Sequence, residues 1–342
     1  MSLRRHPSVC WLALLACLGG ACSGRPLEIL AVGELLTIAS GQDEPGWITQ
    51  YGDKVYWSNS AGVAATQGQS KGLVIGAPKS GGSPITLASG QFQPFATAAD
   101  NTGVYWVSGE GGGGIGLLEH VPLEGGSSTI LVMGSAPDMG EVGDIALDDT
   151  NVYWGGFSDV WTMPRGGGQP VMVCQFLDGS SPSSIVVDET TVYMNNNVGT
   201  LLAVPKTGGT PVTLANQVSQ TSSTGRLAVD SNYVYWTDPF AGTVERVAKT
   251  GGSVTTIASG QNSPLGIAVS GGNVYWTTAY WTTYMDGSIV KVAASGGVPT
   301  TIAWGQQGAT EIAVDDTSVY WVTVGASQGA LPDGTVMKLT PK

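Results

Sequence analysis

The sequence predicts an all-β chain, a seven-bladed β-propeller of four-stranded antiparallel blades, and three observations carry that reading. The tripeptide Val-Tyr-Trp recurs at Val55-Tyr56-Trp57, Val104-Tyr105-Trp106, Val152-Tyr153-Trp154, Val234-Tyr235-Trp236, Val274-Tyr275-Trp276 and Val319-Tyr320-Trp321, with a worn copy at Val192-Tyr193-Met194. The copies stand 49, 48, 40, 42, 40 and 45 residues apart, a period that belongs to propellers when the repeat is rich in strand formers. The 342 residues include 51 Gly and only 12% charged residues, as many tight turns between short, face-buried strands require.

Each repeat unfolds in the same order. Strand a is a short apolar run such as Ile312-Ala313-Val314, and an acidic turn follows, such as Asp315-Asp316-Thr317-Ser318. Strand b carries Val-Tyr-Trp, and a variable loop leads to strand c, as in Gly242-Thr243-Val244-Glu245-Arg246-Val247. A Gly-Gly turn such as Gly251-Gly252 supplies the positive φ of a tight hairpin before strand d, as in Thr255-Thr256-Ile257-Ala258.

Closure follows from the strand count. Strands a to c occur seven times, the last c being Thr335 to Leu339, and no seventh d strand follows it. A spare d-type strand, Leu36-Thr37-Ile38-Ala39-Ser40-Gly41-Gln42, precedes the first a strand and matches Thr86-Leu87-Ala88-Ser89-Gly90-Gln91. The N-terminal strand is therefore expected to complete the C-terminal blade and so protect both edges.

Asp100, Asp148, Asp188, Asp230 and Asp315 stand four residues before the Val of the motif, with Ser270 and Tyr51 in the other two repeats. Acids in register invite a metal reading, but Asp accepting backbone N–H groups within a turn is the expected role. Tyr and Trp, adjacent in a strand, are expected to meet the blades on either side.

The chain opens with Arg4 and Arg5, an apolar run from Val9 to Leu18, and Gly19-Gly20-Ala21 before Cys22, a secretory-signal pattern too short to span a bilayer. Small residues followed by Cys resemble the lipobox of bacterial lipoproteins. That resemblance implies lipidation at Cys22, with Cys17 as the alternative, and release as an ordinary secreted protein as the other outcome. Neither following residue, Ser23 or Leu18, is Asp, which in that family leans towards the outer rather than the inner membrane. The expected layout is signal 1–21, tether 22–34 and propeller 35–342. Cys174 is the one cysteine left in the propeller, so no disulfide is expected within it. Removing Arg4 and Arg5 takes the formal charge from −12 to −14. Such a domain is a poor partner for nucleic acid or anionic lipid, so contact with the membrane is expected through the N-terminal lipid alone.

The fifth repeat, Val234-Tyr235-Trp236-Thr237-Asp238, resembles the YWTD repeat of low-density-lipoprotein-receptor propellers, which form six-bladed rings and bind proteins on one face. Tyr235 to Asp238 alone match the full tetrapeptide, and seven repeats depart from six. The pattern Val204-Pro205-Lys206-Thr207-Gly208-Gly209 resembles repeat-bearing bacterial lipoproteins. These likenesses cover about residues 35 to 340 and speak to fold more than to function.

Candidate sites lie where the repeat breaks on the face of the d–a and b–c loops. The residues just before the a strands are Trp47, Ala96, Asp144, Ser184, Arg226, Gly266 and Glu311, expected to ring the channel mouth. Small residues are the neutral choice there; Trp47, Asp144, Arg226 and Glu311 are not small. They either grip a polar ligand, with Trp47 as a stacking surface, or form an ion-pair cluster that plugs the channel. The long sixth b–c loop holds Tyr280, Trp281 and Tyr284, which serve as contact aromatics or fold back over their own blade. His120, on a third strand, is read as a surface residue and is the one histidine past the signal. A multi-histidine zinc site is thereby excluded and a Ser-His-Asp triad strained. The run Gly111 to Gly114 has no following helix or Lys-Ser/Thr, so it is a loop rather than a phosphate cradle.

No catalytic residue, metal or cofactor is assigned. The leading expectation is a monomeric, lipid-anchored envelope module that recognises a protein or glycan through this face. Two alternatives stand: a hydrolase or lyase at the mouth, where Asp144 and Glu311 offer a carboxylate pair, and a structural subunit of an envelope complex. Streptogramin-inactivating propeller lyases have similar Gly-rich repeats, but that family relies on a catalytic His with a metal, and His120 does not match that position.

Overall fold

The computed structural model describes residues 33–60, 72–109, 115–135, 144–216, 218, 225–279, 287–326 and 332–342. Tyr280, Trp281, Tyr284, Cys17 and Cys22 lie outside the described residues, as does the expected signal and all but the end of the expected tether. The strands form seven antiparallel sheets of four, each running a, b, c, d from the inside outwards. Blade 1, for example, is Pro45–Tyr51, Lys54–Asn59, Gly72–Pro78 and Ile85–Gln91. The a strands pack side by side in a closed ring, with the first, Pro45–Tyr51, against both Phe95–Ala99 and Ala309–Val314. Among the described residues no helix is long and apolar enough to cross a membrane.

The expected closure is found. Glu34–Gln42 pairs antiparallel with Gly334–Thr340, Glu34 opposite Thr340 and Gln42 opposite Gly334, as the outer strand of blade 7. The last c strand thus gains a partner, and the start of the fold is tied to its end.

Side-chain alternation explains why Tyr and Trp travel together. Tyr56 joins a core with Val104 and Trp106 of blade 2, while Trp57 joins one with Tyr320 of blade 7. The same exchange repeats at every junction, with Met194 taking the Trp place between Tyr153 and blade 4. All six motif Trp residues are essentially inaccessible to solvent. Trp indole N–H groups then need partners. In four blades a Gln fifteen residues upstream accepts: Gln42 from Trp57, Gln91 from Trp106, Gln261 from Trp276 and Gln306 from Trp321. Where Met194 replaces Trp, Gly179 stands at that upstream place.

The turn acids do what the sequence suggested. Asp148 Oδ1 accepts the N–H groups of Thr150 and Asn151, and Asp188 and Asp315 repeat the pattern. Their second oxygens have a further role that the sequence did not reveal. Asp148 Oδ2 accepts Tyr153 Oη at 2.8 Å and Lys206 Nζ of the next blade at 2.6 Å. Lys249 meets Asp188, Lys79 meets Asp315 and Arg165 meets Asp100 in the same way. Lys342 fills the place against Ser270, and Lys54 with Glu124 reverses the charges. Ala294 holds the Lys place in blade 6, and there Arg246 of blade 5 donates to its carbonyl. A ring of clamps between blades therefore runs around the face of the a–b and c–d turns.

Cys174 is buried in the core shared by blades 3 and 4, and burial pushes its thiol up to about 12, so it packs as an apolar residue. His120 departs from expectation. Its ring lies 4.6 Å from that of Tyr105, Nε2 is buried, and burial lowers its pKa. It occupies the register of Arg246, at the end of its strand away from the mouth.

Candidate functional site

The mouth residues are set by one register repeated around the ring. Ile48, Thr97, Ile145, Ile185, Leu227, Ile267 and Ile312 each sit opposite the motif Trp or Met, so the residue before each takes an equivalent place at the start of strand a. In blades 1, 2, 6 and 7 the ladder skips the mouth residue, and in blades 4, 5 and 6 the mouth residue's N–H turns to a side chain. The side chain after Trp or Met on strand b then accepts it: Asn195 from Ser184 at 2.8 Å, Thr237 from Arg226 at 3.2 Å and Thr277 from Gly266 at 3.0 Å. These same side chains donate onward to the next blade, to the carbonyls of Gly225, Leu265 and Thr310. Sequence reasoning missed this second layer, although the polar residue following the tripeptide was its signal.

Gly266 shows how crowded the mouth is. A Cβ there would stand 2.7 Å from the Thr310 carbonyl oxygen and 2.8 Å from the Glu311 Cα. The small residue is therefore required by the neighbouring blade's backbone.

Four blades send large side chains together at the mouth, and they are the four the sequence singled out. Arg226 of blade 5 donates from Nε to Glu311 of blade 7 at 2.5 Å, and both are mostly buried. The Arg226 guanidinium lies over the Trp47 ring of blade 1, Cζ 4.6 Å from the centroid. Trp47 in turn packs against Phe95, ring centres 5.8 Å apart. Asp144 of blade 3 accepts from the Ser184 hydroxyl at 2.9 Å and from the N–H groups of Ile145 and Ile185.

Glu311 thus holds the guanidinium directly and Asp144 acts on it through charge alone, in a site mostly withdrawn from water. Burial raises the Asp144 carboxyl above the ordinary range, against the pull of Arg226 and of its hydrogen bonds. Burial raises Glu311 too, with Asp144 adding repulsion and Arg226 opposing. For Arg226 burial works downward, and Glu311 and Asp144 together outweigh it, so the guanidinium stays charged. Its terminal NH₂ groups have no hydrogen-bond partner among the described residues, and Trp47 Nε1 and Thr310 Oγ1 are buried without one. The cluster can therefore offer a ligand two oriented donors on Arg226. It also places the two carboxyls of Asp144 and Glu311 near that guanidinium. Among the described residues no three His, Cys, Asp or Glu side chains gather in a metal-ligating group.

No family model matches the chain, and no curated protein matches it. Solved structures do. The WD40 β-propeller domain of Doa1 aligns with TM-score 0.66 and 13% identity over 91% of this chain and 98% of that one. A streptogramin B lyase structure aligns with TM-score 0.65 and 14% identity over 91% and 97%. A chain of the nidogen/laminin complex aligns with TM-score 0.50 and 18% identity over 66% and 88%. At such identities these likenesses speak for the fold alone, and the chain is a seven-bladed β-propeller.

Proposed function

We propose that the protein is a binding module of the bacterial envelope, anchored by a lipid on Cys22, that recognises a protein or glycan through the channel-mouth face. The observation that carries this reading is the Arg226 guanidinium. Its Nε is held by Glu311, its Cζ lies over the Trp47 ring, and its two terminal NH₂ groups have no hydrogen-bond partner among the described residues. Such a preorganised fork suits a ligand oxygen, and the repeat pattern of the sequence leads us to expect Tyr280, Trp281 and Tyr284 on the same face. The nidogen/laminin complex is one case of a protein with this fold found with a protein partner.

The test is capture from native envelope extract by the mature chain, beside a Trp47→Ala/Arg226→Ala/Trp281→Ala variant of unchanged melting temperature. Ligand held by wild type and lost by the variant supports the module. Equal capture by both overturns the site and leaves a structural subunit. For the anchor, Cys22→Ser should remove the lipid mass and release the protein from membranes, whereas Cys17→Ser should leave both unchanged.

A second reading, a hydrolase or lyase at the mouth, draws on Asp144 and Glu311, a pair of carboxyls that burial raises above the ordinary range. Turnover of any captured ligand that disappears in Glu311→Gln would favour it.

A further inference from the structure

Charge is divided between the two faces of the ring. On the face of the a–b and c–d turns, the clamp cations Lys54, Lys79, Arg165, Lys206, Lys249 and Lys342 stand among the turn acids. Arg246, Lys291 and Lys338 lie opposite a motif Tyr, near the same end of their strands. Among the described residues Arg226 is then the one Lys or Arg on the mouth face, and Glu311 already holds it. That face carries Asp43, Glu44 and Asp178 on its loops, while Asp144, Asp238 and Glu311 are withdrawn beneath them and already bonded within the fold.

The same face exposes large apolar side chains on its loops. Leu177 is 93% exposed, Trp304 72%, Val198 63%, Phe240 58% and Phe157 55%. Three of them stand on loops tied together by hydrogen bonds. Phe176 N donates to Ser158 O at 2.7 Å, Ser181 Oγ to Phe157 O at 2.5 Å, and Asn197 N to Ser181 O at 2.9 Å. Phe157, Leu177 and Val198 are thus held outward on a stitched support.

We propose that the mouth face docks a basic polypeptide segment, one that presents Lys or Arg among apolar side chains. This rests on the binding-module reading and names the chemistry of its partner. The acids supply the complement for the partner's cations, and the exposed Phe, Leu and Trp supply apolar contacts. The open donors of Arg226 take a backbone carbonyl of the segment. An anionic polymer meets repulsion here, and a neutral glycan leaves the charge unmatched.

The probe is a fluorescein-labelled peptide of alternating Lys and Leu, beside a matched Glu and Leu peptide, titrated with the mature chain by anisotropy. The Lys peptide binds and the Glu peptide does not. Raising salt from about 0.05 to 0.5 M weakens binding by roughly tenfold or more. Asp43→Asn/Asp178→Asn weakens it by roughly tenfold at low salt, and Phe157→Ala/Phe240→Ala weakens it at both salts. Asp53→Asn/Asp316→Asn on the opposite face leaves it unchanged. Absence of Lys-peptide binding, equal binding of both peptides, or equal loss in the opposite-face variant overturns the proposal. An envelope ligand that depends on Trp47 and Arg226 but is not displaced by the Lys peptide overturns this inference alone. Capture indifferent to Trp47 and Arg226 overturns the binding-module reading itself.

Discussion

Lys206, in the c–d turn of blade 4, places Nζ 2.6 Å from Asp148 of blade 3 and 5.3 Å from the centroid of the Tyr153 ring. One cation so joins a turn acid, the motif Tyr and the neighbouring blade. Both side chains are less than one-fifth exposed, so the pair is only partly screened by water. Lys206→Met should cost about 1–2 kcal/mol and Asp148→Asn more, because Asp148 also accepts the turn N–H groups. Glu124→Gln, at a clamp whose acid is 79% exposed, should change stability by less than about 0.5 kcal/mol. Urea denaturation of the three variants checks the order.

The clamps also set the acid limit of stability. Burial alone would raise the Asp188 carboxyl. Lys249, the N–H groups of Thr190 and Thr191, and the Tyr193 hydroxyl reverse that and bring it down to about 2 from 3.8. Asp148 and Asp315 are lowered by equivalent partners. A carboxyl lowered in the folded state stabilises fully above its unfolded pKa, and that stability is lost as pH falls through the folded value. Melting temperature should therefore fall steeply between about pH 4 and 2, and Lys249→Met should show a shallower fall in that window. Parallel pH profiles for variant and wild type would refute the clamp as the cause.

Gln306 accepts the buried Trp321 indole N–H at 2.9 Å. Gln306→Ala should cost about 1–3 kcal/mol, because it leaves that donor buried and unpaired. Gln261→Ala should act alike on Trp276. The comparison is with Met194, where no N–H exists to be satisfied: Gly179→Ala should not reproduce the loss by this route. Guanidinium denaturation followed by Trp fluorescence gives the values.

Gly266→Val should destabilise by about 1–3 kcal/mol or more, since the atoms its Cβ would meet are backbone of the adjoining blade. Because those atoms belong to Thr310 and Glu311, the variant should also weaken any ligand that depends on Arg226, beyond the loss of folded protein. Calorimetry and ligand titration on one sample separate the two effects.

The outline of the candidate site was legible because a repeat makes its own exceptions visible. Trp47, Asp144, Arg226 and Glu311 stood out against Ala96, Ser184 and Gly266 in the same register. Their meeting was not legible. Residues 85 positions apart, Arg226 and Glu311, touch because seven blades close on one axis. The roles of Asn195, Thr237 and Thr277 were hidden for the same reason, since each bonds to a neighbouring blade that local pattern does not display. His120 was misplaced because a polar residue on a third strand faces solvent or a neighbouring Tyr according to blade packing.

By itself the sequence determined the blade number, the strand order, the closure by the strand Leu36 to Gln42 and the opposed faces of Tyr and Trp, all consequences of alternation within a strand and of turn chemistry. Tertiary structure alone decided the clamps between blades, the stacking of Arg226 on Trp47 and the division of charge between the faces. Those depend on distances across the ring, and such distances exist only once burial of every blade against its neighbours has closed it.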